Sequence, residues 1–193
     1  MQQQQQTEPD SRVTFLGALA FVSRTFATSI EVFLHRRFGE RYFGLHSAAV
    51  ILAVLIYSTF WEGYDVTPLL GFLGFYFVAC LGARAGIAKR RLTGDVEHSY
   101  YNGRPILLSF WPFKKAKERT VKGLEPFLVF LTGAFVMPLS EPLGGYLMVA
   151  SLGLLVSLGL AASYQRQRDL DLQDALIDQQ NAAQRLRESG WRR

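Results

Sequence analysis

Residues 143–163 read LGGYLMVASLGLLVSLGLAAS and contain no charged side chain. A helix that crosses a hydrocarbon layer about 30 Å thick needs about 17–25 such apolar residues. A helix in a water-soluble core would instead carry a polar stripe that returns every third or fourth residue. The segment 143–163 therefore predicts a membrane-crossing helix.

Three more apolar segments have the same character and raise the number of predicted crossings to four. They run over residues 45–61, 67–87 and 123–139. Hydrophobic residues make up 49% of the chain and charged residues 19%, and the charged residues collect between these segments. We therefore expect an all-α membrane protein built as a four-transmembrane-helix bundle, with one helix pair in 45–87 and the other in 123–163.

The positions of Lys and Arg predict how this bundle is oriented. All 21 of them lie before residue 42, between 84 and 122, or after 165, whereas the two short turns carry only Glu62, Asp65 and Glu141. Loops rich in Lys and Arg stay on the cytoplasmic side. We expect both termini to be cytoplasmic and the membrane to be a bacterial inner membrane. The same bias explains the net charge of +5, so nucleic acid is disfavoured as a partner.

The region before the first crossing predicts a disordered tail, residues 1–11, and an amphipathic interfacial helix within 12–44. One helical face is apolar and is made of Phe15, Leu19, Val22, Phe26, Ile30 and Phe33. The opposite face is polar and is made of Arg24, Thr28, Glu31 and His35. The alternative is a fifth crossing, which would place two charges inside the bilayer at about 2.5–3.5 kcal/mol each. The surface position is therefore preferred.

A cytoplasmic loop, residues 88–122, is predicted between the second and third crossings. Residues 96–101 and 104–111 read as strands, and Asn102-Gly103 between them is the usual signal of a two-residue type I′ turn. Pro105 would confine the second strand to a sheet edge. We expect this loop to contain a β-hairpin.

The same loop supplies the candidate contacts with lipid or with a partner protein. Arg104 and His98 could donate hydrogen bonds to a phosphate-bearing headgroup, and the exposed aromatic and basic residues that follow suit a membrane surface. A hairpin that only packs and is solvated is the favoured alternative. The candidate residues are His98, Tyr100, Tyr101, Asn102, Arg104, Trp111, Lys114 and Lys115.

Small residues repeat every four positions in two of the predicted crossings and are candidates for close helix packing. Packing inside one bundle is favoured over oligomerisation. The candidates are Gly82, Gly86, Gly153, Ser157 and Ala161.

After the fourth crossing, residues 164–193 predict a cytoplasmic helical extension that ends near Gly190. Leu172, Leu176, Ala183 and Leu186 follow the spacing of a coiled-coil stripe, although Gln179 interrupts it. This stripe is too short for a coiled coil on its own but suits docking of a partner helix.

The sequence favours a non-catalytic protein. It contains no phosphate-binding glycine motif, its one cysteine is Cys80, and its three histidines lie in separate segments, so no metal or cofactor and no small-molecule substrate is identified. The deep parts of the four crossings lack ionisable side chains, which disfavours a coupled transporter. We expect a scaffold or accessory subunit of a larger envelope assembly of the secretion, transfer or division type. Its expected partners are membrane lipids, other proteins and further copies of itself. The alternative is a lipid-binding or lipid-modifying protein that uses residues 95–104.

Overall fold

A computed structural model of the chain describes residues 11–94, 101–111 and 113–190. It divides into two compact units, Met1–Ser157 and Leu158–Arg193. The helices are α1 (Ser11–Leu34), α2 (Leu45–Ser58), α3 (Thr67–Thr93), α4 (Glu118–Val136) and α5 (Glu141–Gly190). Two short strands, β1 (His35–Arg36) and β2 (Arg104–Pro105), pair antiparallel.

Three helices of the described chain are long and apolar enough to cross a membrane. They are Phe15–Leu34 within α1, Thr67–Thr93, and Glu141–Arg187 within α5. This agrees with a helical membrane protein. Two of the three contain predicted crossings, whereas the first is the segment that the sequence assigns to the membrane surface.

The other two predicted crossings do not meet the same criteria. Helix α2 is apolar but has only 14 residues, whereas 45–61 was expected to be helical throughout. Helix α4 begins five residues before the expected start of 123–139, and its first two turns carry Glu118, Arg119, Lys122 and Glu125. The structure therefore does not show four spans.

All five helices contribute to one hydrophobic core in the first unit. Tyr76 of α3 and Tyr146 of α5 are among its largest fully buried side chains. The remaining buried members of the core are Ile30, Val32, Val50, Val54, Leu69, Val129 and Ala150.

Helix α1 buries most of its polar face and exposes part of its apolar face. Its polar residues Thr28 and Glu31 are 1% and 0% exposed, whereas Phe15 and Val22 on its apolar face are 67% and 50% exposed. In lipid, polar groups must find partners within the protein because the surrounding hydrocarbon offers none. An apolar outer face with a polar inner face is what that environment favours, although Ile30 on the same apolar face is 4% exposed and belongs to the core.

Helix α3 also presents a large apolar surface on the outside of the unit. A water-soluble monomer rarely exposes a continuous apolar patch of more than a few hundred Å². The exposed large side chains of this helix include Leu70, Phe75, Phe77, Val78 and Leu81. Lipid is the solvent that such a surface matches.

The predicted type I′ turn at Asn102-Gly103 and the long second strand after it are wrong. A type I′ turn needs positive φ at both central residues. Gly103 has φ +86°, but Asn102 does not have a positive φ, since Arg37 is the one non-glycine residue of the described chain that does. Strand β2 pairs with β1. The predicted first strand of the hairpin, 96–101, lies mostly outside the described residues. A 3-10 turn over Ile106–Ser109 follows it in place of a long strand.

The second unit is the C-terminal part of α5, which is continuous to Gly190 as the sequence predicts. Its described side chains are exposed from Ser163 onward. They include Leu172 and Leu176, with 65% and 59% of their surface exposed.

Candidate functional site

The polar face of α1 forms a buried ionic network inside the first unit. Arg24 Nη1 lies 3.2 Å from Glu31 Oε1, and the Tyr42 hydroxyl donates a hydrogen bond to the other carboxylate oxygen. The Arg24 guanidinium also lies over the Tyr42 ring, 5.2 Å from its centroid. The Glu31 side chain is 0% exposed and that of Arg24 is 29% exposed. The two charges thus neutralise each other within the protein.

The spacing of the sequence explains why these groups meet. Residues 24, 28, 31 and 35 are separated by four, three and four positions and therefore share one face of a helix. The Thr28 hydroxyl donates a hydrogen bond to the Arg24 carbonyl oxygen at 2.8 Å, so the polar side chain between the two charges also has a partner. From α5, Ser157 Oγ lies 3.4 Å from Arg24 Nη1 and accepts a further hydrogen bond.

Tyr42 belongs to the connection between α1 and α2. Burial raises its pKa well above 10.0, and the Glu31 carboxylate raises it further. The phenol therefore keeps its hydrogen and remains a donor to Glu31.

A second buried pair joins the end of α1 to α4. His35 Nε2 lies 2.8 Å from Glu125 Oε2, and these side chains are 0% and 1% exposed. His35 Nδ1 lies 2.7 Å from the carbonyl oxygen of Asn102. Gly103 packs so closely that a Cβ there would come within 2.8 Å of the His35 Cβ, so this approach requires glycine. The pair thereby connects α1, the segment before β2, and α4.

The basic end of α3 holds the segment that follows β1. Arg90 Nη2 donates to the Phe38 carbonyl at 2.6 Å, and Arg91 Nε lies 3.1 Å from Glu40 Oε1. These arginines therefore contact the protein itself.

Several of the predicted loop candidates form internal contacts. The Tyr101 hydroxyl donates to Glu118 Oε1 at 2.8 Å, and Lys122 Nζ donates to Asn102 Oδ1 at the same distance. Arg104 is exposed in strand β2. His98 and Tyr100 lie outside the described residues. The structure thus does not bring the candidate residues together as one open site.

Burial alone would raise the pKa of Glu118, but its hydrogen bonds from Lys122 and Tyr101 outweigh burial and lower it. Glu118 is therefore a carboxylate whose charge is stabilised by the loop that it contacts.

The aromatic part of the loop is accessible. Phe110 and Trp111 are 60% and 89% exposed, and Lys114 and Lys115 are exposed in the turn that follows. This is an apolar patch with cations beside it.

The small residues predicted for helix packing fall into two groups. A Cβ on Gly153 would lie 2.6 Å from the Phe26 Cβ, so α5 approaches α1 closely there, and Ser157 on the same face contacts Arg24. A Cβ added to Gly82 or Gly86 would meet no atom of the described residues within 4 Å. Ala161 is exposed in the second unit.

Sequence reasoning missed the burial and pairing of Glu31 and Glu125. It placed α1 at the membrane surface or against the bundle and Glu125 near a cytoplasmic helix end, whereas both carboxylates and His35 are buried in the protein. The available signal was the polar stripe of α1, because a charged side chain in a membrane segment normally faces the protein interior and pairs there.

No group of three or more potential metal ligands occurs within the described ranges. The chain matches no protein-family model, no curated protein sequence and no solved structure. The function of the chain is therefore inferred from its own sequence and geometry.

Proposed function

We propose that this protein is a membrane-anchored scaffold or accessory subunit that docks a partner through the C-terminal part of α5. The observation that supports this is the exposed leucine stripe of the second unit, centred on Leu172 and Leu176. A lipid-solvated first unit with an internally neutralised ionic network would serve as the anchor. A larger envelope assembly of the secretion, transfer or division type is the setting we propose.

The proposed partner is an amphipathic helix with an apolar stripe. Apolar residues at alternating spacings of four and three form the seam of paired helices. The positions beside this seam are Gln173, Ala175, Gln180 and Ala182, which are exposed and uncharged, so the flanking positions of the partner need carry no particular charge.

Purification of the full chain in mild detergent tests this proposal. We expect a stoichiometric partner to co-purify with the wild type and to be lost with Leu172→Asp/Leu176→Asp. The matched control is Gln167→Asp/Asn181→Asp, which adds the same charge on the other side of the helix and should retain the partner. Recovery of the wild-type chain alone would contradict docking. If the bound species is a second copy of this chain, the stripe mediates self-association and not docking of a different protein.

The membrane topology that we propose follows from α1. If α1 crosses the membrane, as its length, composition and outward apolar face allow, the N-terminus lies opposite the cytoplasm and Arg36, Arg37 and Arg41 lie on the cytoplasmic side. The sequence prediction that both termini are cytoplasmic is then retained for the C-terminus only. The bacterial inner membrane remains the proposed location. Reporters fused to the two ends distinguish the topologies, because a cytoplasmic N-terminal reporter would return α1 to the surface.

A second candidate function is binding of anionic lipid by the loop. The supporting observation is the exposed Phe110-Trp111 pair beside Lys114 and Lys115. Native mass spectrometry should then show co-purified anionic lipid that is reduced by Trp111→Ala combined with Lys114→Gln and Lys115→Gln. Arg104→Ala tests the original proposal that residues 95–104 bind the headgroup. Equal lipid binding by all these variants would exclude the loop as the lipid site.

A further inference from the structure

The two nitrogens of the His35 ring face two different kinds of acceptor. Nδ1 lies 2.7 Å from the Asn102 carbonyl oxygen, which can only accept a hydrogen bond. Nδ1 must therefore carry a hydrogen. Nε2 is left to meet the Glu125 carboxyl group at 2.8 Å.

That second contact requires one more proton. An imidazolium would donate it from Nε2 to the carboxylate, and a neutral imidazole would accept it from a protonated Glu125. Without it, two lone pairs would face each other at 2.8 Å between side chains that are 0% and 1% exposed. We propose that His35 and Glu125 form a proton-binding site, whose ligand is a single proton shared by Nε2 and Oε2.

The other titratable or charged groups on the elements packed around the pair have their own surroundings. They include Arg24 and Glu31 on α1, Arg36 on β1, Glu40 and Tyr42 in the following connection, Arg90 and Arg91 on α3, Tyr101 and Arg104 around β2, and Glu118, Arg119 and Lys122 on α4. Glu31 binds Arg24, and Lys122 Nζ lies 2.8 Å from Glu118 Oε1. Arg36 and Arg104 are exposed on the paired strands. The contact between His35 and Glu125 is thus made by these two side chains.

The bound proton holds three segments together. His35 begins β1, Asn102 precedes β2, and Glu125 lies inside α4. Glu125 Oε1 is buried and receives no hydrogen bond from the described part of the chain, so the carboxyl group depends on its contact with His35. Without the shared proton, that contact would be lost and a buried carboxylate would remain without a donor. The β1–β2 pairing and the segment before it should then loosen.

Thermal unfolding of the full-length protein in detergent at pH 6 and pH 9 tests the site. We expect the wild-type midpoint to fall by about 4–10 °C more than that of Glu125→Gln on going to pH 9. The amide of the Gln variant donates its own hydrogen to the neutral His35 Nε2, so it needs no shared proton. Glu125→Leu, which cannot form the contact, should be less stable than Glu125→Gln at both pH values.

An equal loss of stability in the wild type and in Glu125→Gln would overturn the proposal. A second measurement applies even if these variants do not fold. In a background of His46→Gln and His98→Gln, the remaining ¹⁵N-histidine signals report His35 alone. We expect Nδ1 to carry a hydrogen at pH 6, and an Nδ1 without one would contradict the site.

Discussion

At the scale of single residues, the Arg24–Glu31 pair is the feature of α1 on which stability should depend most strongly. Breaking a buried ion pair leaves one charge without a partner, which costs about 3 kcal/mol or more. Glu31 is fully buried, and the Arg24 side chain beside it is mostly buried as well. The carboxylate also receives the Tyr42 hydroxyl. Its removal therefore affects two donors at once.

Glu31→Gln should reduce the free energy of unfolding in detergent by about 3 kcal/mol. The matched control is Glu40→Gln, which breaks the Arg91–Glu40 pair, where the side chains are 74% and 48% exposed. An exposed pair contributes less than about 1 kcal/mol. Chemical denaturation measures both variants. Equal effects of the two changes would show that the Glu31 site is not buried as described.

Glu118 provides a prediction of pH dependence. Its hydrogen bonds lower its pKa below the ordinary value of 4.5, so the folded state is favoured while the group is ionised. This contribution is present above pH 4.5 and is lost as the pH falls through the lowered pKa. We expect wild type to be more stable than Glu118→Gln at pH 7 and the difference to shrink on acidification. A difference that grows towards acid pH would contradict the assigned contacts.

At the scale of elements, α1 shows which part of the fold the sequence determines. Its helical pattern and its division into polar and apolar faces were both readable from residue spacing. Which face turns inward was not, because that depends on whether water or lipid surrounds the helix. The inward face of α1 is determined by partners far away in the sequence, such as Ser157 on α5, which accepts a hydrogen bond from Arg24.

The loop shows the same limitation in another form. Asn102-Gly103 is a strong local turn signal. It was overridden because β1, which is only two residues long, pairs with Arg104–Pro105 and His35 binds the Asn102 carbonyl. No local pattern in residues 101–105 indicates a partner almost seventy residues away. The His35–Glu125 site was unpredictable for this reason.

The contact between α1 and α5 gives a prediction at this scale. Gly153→Leu should destabilise the first unit by about 1–3 kcal/mol, because the added side chain collides with Phe26. Gly82→Leu is the control, since the described structure has open space there. Thermal unfolding in detergent measures both changes. A larger effect at Gly82 would instead indicate that α3 packs against another chain.

At the scale of the whole molecule, the first unit exposes many large apolar side chains around its core and buries three ionisable groups. Phe75 and Val78 on α3 are 72% and 65% exposed, while Glu31, His35 and Glu125 are at most 2% exposed. The sequence predicted a helical membrane protein from composition and segment length, which are independent of packing. The number of crossings could not be predicted in the same way, because it depends on where each helix begins and ends. Helix α2 ends earlier, and helix α4 begins earlier, than the local sequence patterns indicate.

The most direct test of lipid solvation uses a spin label on α3. Val78→Cys in a Cys80→Ser background places the label on the exposed apolar face of the protein reconstituted in liposomes. Electron paramagnetic resonance then compares collisions with oxygen, which concentrates in hydrocarbon, and with a water-soluble nickel chelate. We predict high oxygen and low nickel accessibility at this position, with the reverse at a label on Asp178→Cys in α5. High nickel accessibility at Val78→Cys would show that water covers this face and would contradict the membrane fold.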